Sequence, residues 1–314
     1  MKQILPFLIL SAVPVLAQQG VVAGPTAGFV YDASTSALRP VRGIPGASML
    51  GDPVSFGFDI AKVYVSPGQD SAIVIGADSS VHVFQLSPDG ITERAVTGIA
   101  APPDMVGFSP SGSSVALSIG GKVQVVTGLP GAPAVGNALD PGSPVTKLAV
   151  SDDGAYVLFA TSGSVQALGA GGDVRNVMAA GDGALVAFAR GGHDGAISDP
   201  SGAGVVVLRD LAGSATQTVV AAPDDGTASP VGLAFSADGG KLYLASAAAQ
   251  SVVSFDLSSG SRTNFACNCT PAGLSPMGNL LRLNEAGTDP VWMLDSGAET
   301  PRIVFVPALA VANQ

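Results

Sequence analysis

The chain has 314 residues, of which 47% are apolar and only 12% charged, with a mean hydropathy of +0.44, so it can bury a large core and is not disordered. Gly (41) and Pro (23) together exceed a fifth of the residues, which starves long helices, excludes coiled coils and helical bundles, and suits short strands joined by tight turns. With 14 Lys plus Arg against 24 Asp plus Glu and a pI near 4.4, there is no basic footprint for nucleic acid or an anionic membrane surface.

Residues 1–17 read as an export signal. Lys2 supplies the positive start, Ile4 to Val15 the short apolar run, and Val15-Leu16-Ala17 a small-residue cleavage site before Gln18. A membrane anchor is the competing reading, but the run is short for a span of about 30 Å and contains Pro6 and Pro14. The chain from Gln18 onward is therefore expected to be secreted or periplasmic, with a side-chain charge of 13 − 24 = −11 once Lys2 is removed. No Cys follows the cleavage site, which argues against a lipid anchor.

Beyond residue 17 the chain repeats. Alternating apolar segments end in a turn at GFVYD (28–32), VHVFQLS (81–87), KVQVVT (122–127), SVQALG (164–169), VVVLRD (205–210), SVVSFD (251–256) and VWMLD (291–295). A second marker, an apolar strand running into a Ser-containing Gly turn, precedes most of them by about twenty residues. Its serines are Ser66, Ser109, Ser151, Ser236 and Ser275, with a degenerate copy expected at 177–183.

Each unit then holds four short strands in roughly 40–45 residues, which is the period of a β-propeller blade. The expected fold is all-β, a propeller of seven four-stranded antiparallel blades with six as the alternative, forming one domain over 18–310 with a tail at 311–314. The hairpin at 28–43 reads as third and fourth strands without an inner pair, and 173–183 is short for a fourth strand plus a new first strand. The segment KLYLASAAAQSVVSFDLSSG at 241–260 resembles the repeat of the YVTN and lactonase-like seven-bladed propellers, although Ala245-Ser246 stands where that motif has Thr-Asn. The resemblance implies the fold; those propellers include scaffolds, cell-surface modules and hydrolases, so it does not choose an activity.

The residues of the chain show no catalytic set. Asp precedes Gly at 89, 153, 182, 194, 225 and 238 and Pro at 52, 140, 199 and 289, which is turn chemistry. His82 and His193 with two Cys make no zinc spacing, and no Gly-x-Ser-x-Gly elbow occurs. His82 sits inside an alternating strand and reads as a sheet-surface residue. No cofactor is expected. Cys267 and Cys269 are expected to form a disulfide across Asn268, which requires a bent backbone because an extended strand would hold their Cα atoms about 6.6–6.8 Å apart.

One connection stands out: residues 191–203 read as a thirteen-residue loop between second and third strands, and place His193, Asp194 and Asp199 as candidate contacts on the funnel rim. The function expected is a secreted binding or scaffold module, a monomer with a protein or carbohydrate partner at one propeller face. A lactonase-like hydrolase with its site in the central funnel is the alternative, and a redox or metal-responsive module on the Cys pair is a third.

Overall fold

The computed structural model describes residues 24–88, 90–223 and 227–309; the expected export signal (1–17) and tail (311–314) lie outside these. Among the described residues there is no helix, and every strand pairs antiparallel with its neighbour in the chain. The first sheet holds β1 (Thr26–Asp32), β2 (Ala37–Ile44) and β3 (Ala47–Leu50). The second holds β4 (Ile60–Val65), β5 (Ser71–Gly76), β6 (Val81–Ser87) and β7 (Gly90–Arg94), and the third β8 (Met105–Phe108), β9 (Ser114–Ile119), β10 (Lys122–Thr127) and β11 (Ala134–Val135). The fourth holds β12 (Lys147–Val150), β13 (Tyr156–Ala160), β14 (Ser164–Gly169) and β15 (Val174–Ala179), and the fifth β16 (Leu185–Phe188), β17 (Gly195–Asp199), β18 (Gly204–Arg209) and β19 (Thr216–Ala221). The sixth holds β20 (Pro230–Phe235), β21 (Lys241–Ser246), β22 (Ser251–Asp256) and β23 (Arg262–Ala266), and the seventh β24 (Ser275–Met277), β25 (Leu280–Arg282), β26 (Val291–Asp295) and β27 (Arg302–Val306). This is a seven-bladed β-propeller.

A lone four-stranded sheet leaves both faces wet, so each blade buries its faces against its neighbours. Val205 and Val207 of β18 pack with Leu233, Phe235, Leu242 and Leu244 of the next blade. The ring closes through Val30, Val41 and Leu50 of the first blade, which join Met277, Val291, Met293 and Val304 of the seventh. First strands come close: a Cβ on Gly232 would lie 2.3 Å from the Leu274 backbone nitrogen, so no larger residue fits without moving a blade.

The Ser-x-x-Gly marker is explained by its turn. Ser109, Ser151 and Ser236 each pair N–H and C=O around five residues, their Oγ accepts the N–H of the fifth residue, and their C=O accepts from Gly112, Gly154 or Gly239, all at positive φ. In the second blade Ser66 plays the same part, but Gln69 occupies the glycine position at φ 61°. In the fifth blade Ala189 takes the serine position, pairing with Asp194. The copy expected at 177–183 is therefore displaced: that stretch ends β15 and forms the connection that leads to β16. Ser275 lies in β24 rather than in a turn, because the seventh blade reverses over Gly278-Asn279 alone.

Residues 28–32 also differ from the sequence expectation of a third strand. The first-to-second turns mark the upper end of the ring, and the second-to-third turns the lower. The Phe29 N–H reaches Gln69 Oε1 at the upper end, while Asp32 bridges Ala286 at the lower end. Strand β1 thus runs downward, as second strands do, and opposite to β4 and β24. Among the described residues the first blade has three strands where the others have four.

Candidate functional site: the upper mouth of the central channel

First strands line the channel, and their alternation turns apolar side chains inward. At the upper end they enclose a cavity of about 510 Å³ whose walls include Phe108, Leu148, Phe188, Leu233, Phe235 and Leu281. Polar groups enter from the turns: Ser111, Arg190, Asp238 and Asn279, together with Tyr243 from β21. Burial raises the pKa of the Tyr243 hydroxyl, Asp238 pushes in the same direction, and a hydrogen bond with Ser296 only partly offsets them, so the group stays protonated and can donate.

The carboxylates around this mouth are committed. Asp152 accepts from the Ser111 N–H at 2.7 Å and hydroxyl at 2.6 Å in the third blade and from the Gly191 N–H at 2.8 Å in the fifth, bracing three blades. Burial would raise its pKa, but these bonds outweigh burial and hold the carboxyl below its ordinary value. Asp238 accepts from the Ser236 hydroxyl and the Gly240 N–H. Arg190, by contrast, is exposed, borders the cavity and has no hydrogen-bond or ion-pair partner among the described residues.

The three rim residues named from sequence do not converge. Strand β17 occupies the middle of 191–203, so the expected long loop is two short turns at opposite ends. His193 and Asp194 lie in the upper turn, where His193 Nε2 is 2.9 Å from Asp153 Oδ2 and Asp194 pairs with Arg209 at 2.6 Å. Asp199 ends β17 at the lower end; it is buried and accepts the N–H groups of Gly181, Ser201 and Ala203. All three serve turns.

His82 carries more contacts than a plain sheet-surface residue. Its ring stacks on Phe58 at 4.5 Å, Nδ1 is 2.6 Å from Glu93 Oε1, and Nε2 is 2.7 Å from Ser80 Oγ. The order hydroxyl, imidazole, carboxylate is that of an activated nucleophile. Asp78 alters the reading, because its Oδ1 takes the Ser80 hydroxyl at 2.5 Å and that hydroxyl has one proton. The Ser80 oxygen can then only accept from the His82 ring, and the contacts from Asp78 through Ser80 and His82 to Glu93 clamp the β5–β6 turn to β7.

Cys267 and Cys269 lie at the lower end after β23, their Sγ atoms bonded and their Cα atoms 5.0 Å apart, as a bent backbone allows. Cys267 belongs to the buried apolar cluster that also holds Ala245 and Leu283. Among the described residues no three His, Cys, Asp or Glu groups are placed to hold a metal ion, and no helix is long and apolar enough to cross a membrane. Sequence reasoning missed Arg190, Tyr243 and Asn279, since each is an ordinary residue whose place on the mouth depends on how blades meet. One signal for Arg190 existed: it follows the turn's first residue, where the second, third and sixth blades have Pro67, Pro110 and Ala237.

Fold and mouth together define a seven-bladed β-propeller with a largely apolar funnel. No protein-family model and no curated protein matches the chain. Among solved structures it is similar to a functionally unknown protein of Desulfotomaculum acetoxidans, with a TM-score of 0.59 and 12% identity over 90% of this chain and 100% of that one. It is also similar to the hydrazine synthase of Kuenenia stuttgartiensis, with a TM-score of 0.53 and 13% identity over 94% and 99%. A proposed 6-phosphogluconolactonase of Bacteroides fragilis gives 0.50 and 16% over 78% and 81%. At these identities the likeness carries the fold alone.

Proposed function

We propose that the protein is an exported propeller of the YVTN and lactonase-like kind that acts as a binding module, taking its ligand at the upper mouth of the channel. The observation that carries this is the pairing of an apolar-walled cavity of about 510 Å³ with Arg190, a cation without a partner among the described residues, while the carboxylates nearby are engaged. Such a site suits an apolar body with a single anionic group, offered by a small molecule or by a protein partner: the walls gain from burial, and the guanidinium pairs with the anion. Thermal denaturation of the purified chain with octanoate and with octanol tests it. Octanoate raises Tm and octanol does not; no shift with any amphiphilic anion ends this reading.

A lactonase-like hydrolase with its site in the central funnel is the second reading, supported by the fold shared with the Bacteroides protein. Screening lactones and esters with and without divalent ions tests it; no turnover above the uncatalysed rate removes it.

A further inference from the structure

The channel holds a second cavity, of about 380 Å³, and it adjoins the first. Pro67, Phe108 and Pro276, from the second, third and seventh blades, border both spaces. The second lies lower in the channel, since Val106 borders it alone and precedes Phe108 on β8. Strand β8 shows how open this wall is: Met105 to Phe108 are all half-buried, whereas Ser114 to Ser118 of β9 beside it are all buried. Part of the apolar surface of β8 therefore faces the channel and not a neighbouring blade, and contiguous apolar surface left uncovered marks a ligand site. Polar groups beside the second cavity are engaged in the fold. Gln69 accepts from the Phe29 N–H and donates to the Ser66 carbonyl, and the Tyr31 hydroxyl donates to the Ala61 carbonyl at 2.5 Å. Arg282 pairs with Glu285 at 2.9 Å, and the exposed Lys62 ammonium lies 5.0 Å from the centre of the Tyr64 ring. What the second cavity offers is its apolar wall, which includes Phe29, Val63, Val106 and Met277.

We infer that the two cavities act as one site for a long, unbranched carboxylate, a fatty acid with a longer chain than octanoate. This rests on the reading of the upper mouth as a binding site and names the class of its ligand. The carboxylate pairs with Arg190, the only cation bordering the upper cavity among the described residues. The chain runs along Phe188 and Phe108, passes between Pro67 and Pro276, and ends against Val106 and Met277. Two proline rings and a phenyl ring have little rotamer freedom to make way, which favours a straight chain at the boundary over a branched one. Each methylene that leaves water for these walls adds to binding, and the second cavity is where the added methylenes go.

Calorimetric titration of the purified chain with octanoate, decanoate and dodecanoate, each below its micelle concentration, tests this. Kd is expected to fall about fourfold with each added methylene, on the order of 100-fold from octanoate to dodecanoate. Val106→Phe narrows the second cavity, so it should cut that gain to under about tenfold and leave octanoate binding unchanged. Should that variant not fold, Ser275→Phe, which also borders the second cavity alone, is expected to do the same. Arg190→Ala should weaken all three acids by a common factor, because it removes only the partner of the head. A gain of under about tenfold in the unaltered protein, or a larger one that Val106→Phe or Ser275→Phe leaves intact, overturns the long-chain site while the upper-mouth reading stands. No binding of any of the three acids removes that reading and this inference with it.

Discussion

Gln69 ties the first blade to the second: its Oε1 accepts the Phe29 N–H at 2.6 Å, and its Nε2 donates to the Ser66 carbonyl at 2.9 Å. The residue holds φ 61°, a conformation that costs a non-glycine residue about 1–2 kcal/mol. Its side chain is what offsets that cost. Gln69→Ala keeps the strain and loses the tie, and should destabilise the chain by about 1–2 kcal/mol in denaturant titration. Gln69→Gly loses the tie but relieves the strain, so it should be the more stable of the two variants by about 1 kcal/mol; equal stabilities would refute this account.

Asp152 should make the propeller acid-sensitive. Its folded-state pKa is lowered, so its contribution is present at neutral pH, above the unfolded value near 3.8, and is lost as the pH falls through the lower folded value. Asp152→Asn should cost about 1–2 kcal/mol at pH 7, a range discounted for partial exposure. Denaturant titrations of both proteins from pH 7 to pH 2 check the sign: the gap between wild type and variant narrows in acid. A constant gap would place the effect in packing and not in the charge.

Arg190→Ala should abolish the octanoate-dependent rise in Tm while leaving the Tm of the free protein within a degree or so, because Arg190 makes no contact that the fold needs among the described residues. Asp194→Ala serves as the comparison: it breaks the Arg209 pair and the bond from the Asp210 N–H, so it should lower Tm without altering the octanoate shift.

Ser80→Ala separates clamp from nucleophile. As a clamp, Ser80 links Asp78 to His82, and its loss should cost under about 1 kcal/mol at this exposed turn. Any ester hydrolysis found by screening should survive the change, whereas a fall of 100-fold or more would make Ser80 the nucleophile.

The Cys267–Cys269 pair closes a loop of three residues, so the chain-entropy contribution of the bond is about 1–2 kcal/mol. Thiol titration of the unfolded, unreduced chain should give no free thiol, and reduction should lower Tm by a few degrees without unfolding the ring. Two free thiols before reduction would show the pair to be open in solution.

What the sequence determined by itself is what short stretches encode: alternating strands, their spacing, the Ser turn with its positive-φ glycine, and hence a propeller of seven units. The pattern in KLYLASAAAQSVVSFD needs no distant partner to be legible, since pleat and turn chemistry act within a few residues. The tertiary structure decided the direction of β1, which depends on Gln69 and Ala286 and not on anything within GFVYD. It also decided that Gly195–Asp199 is a strand, because five buried residues with two glycines close by resemble a loop until β16 and β18 pair on either side. The channel mouth was hidden for the same reason. Arg190 and Tyr243 border one cavity, and Asp152 reaches the Gly191 N–H, only when the fourth, fifth and sixth blades stack side by side, and blade stacking is a non-local packing outcome that residue type and spacing leave open.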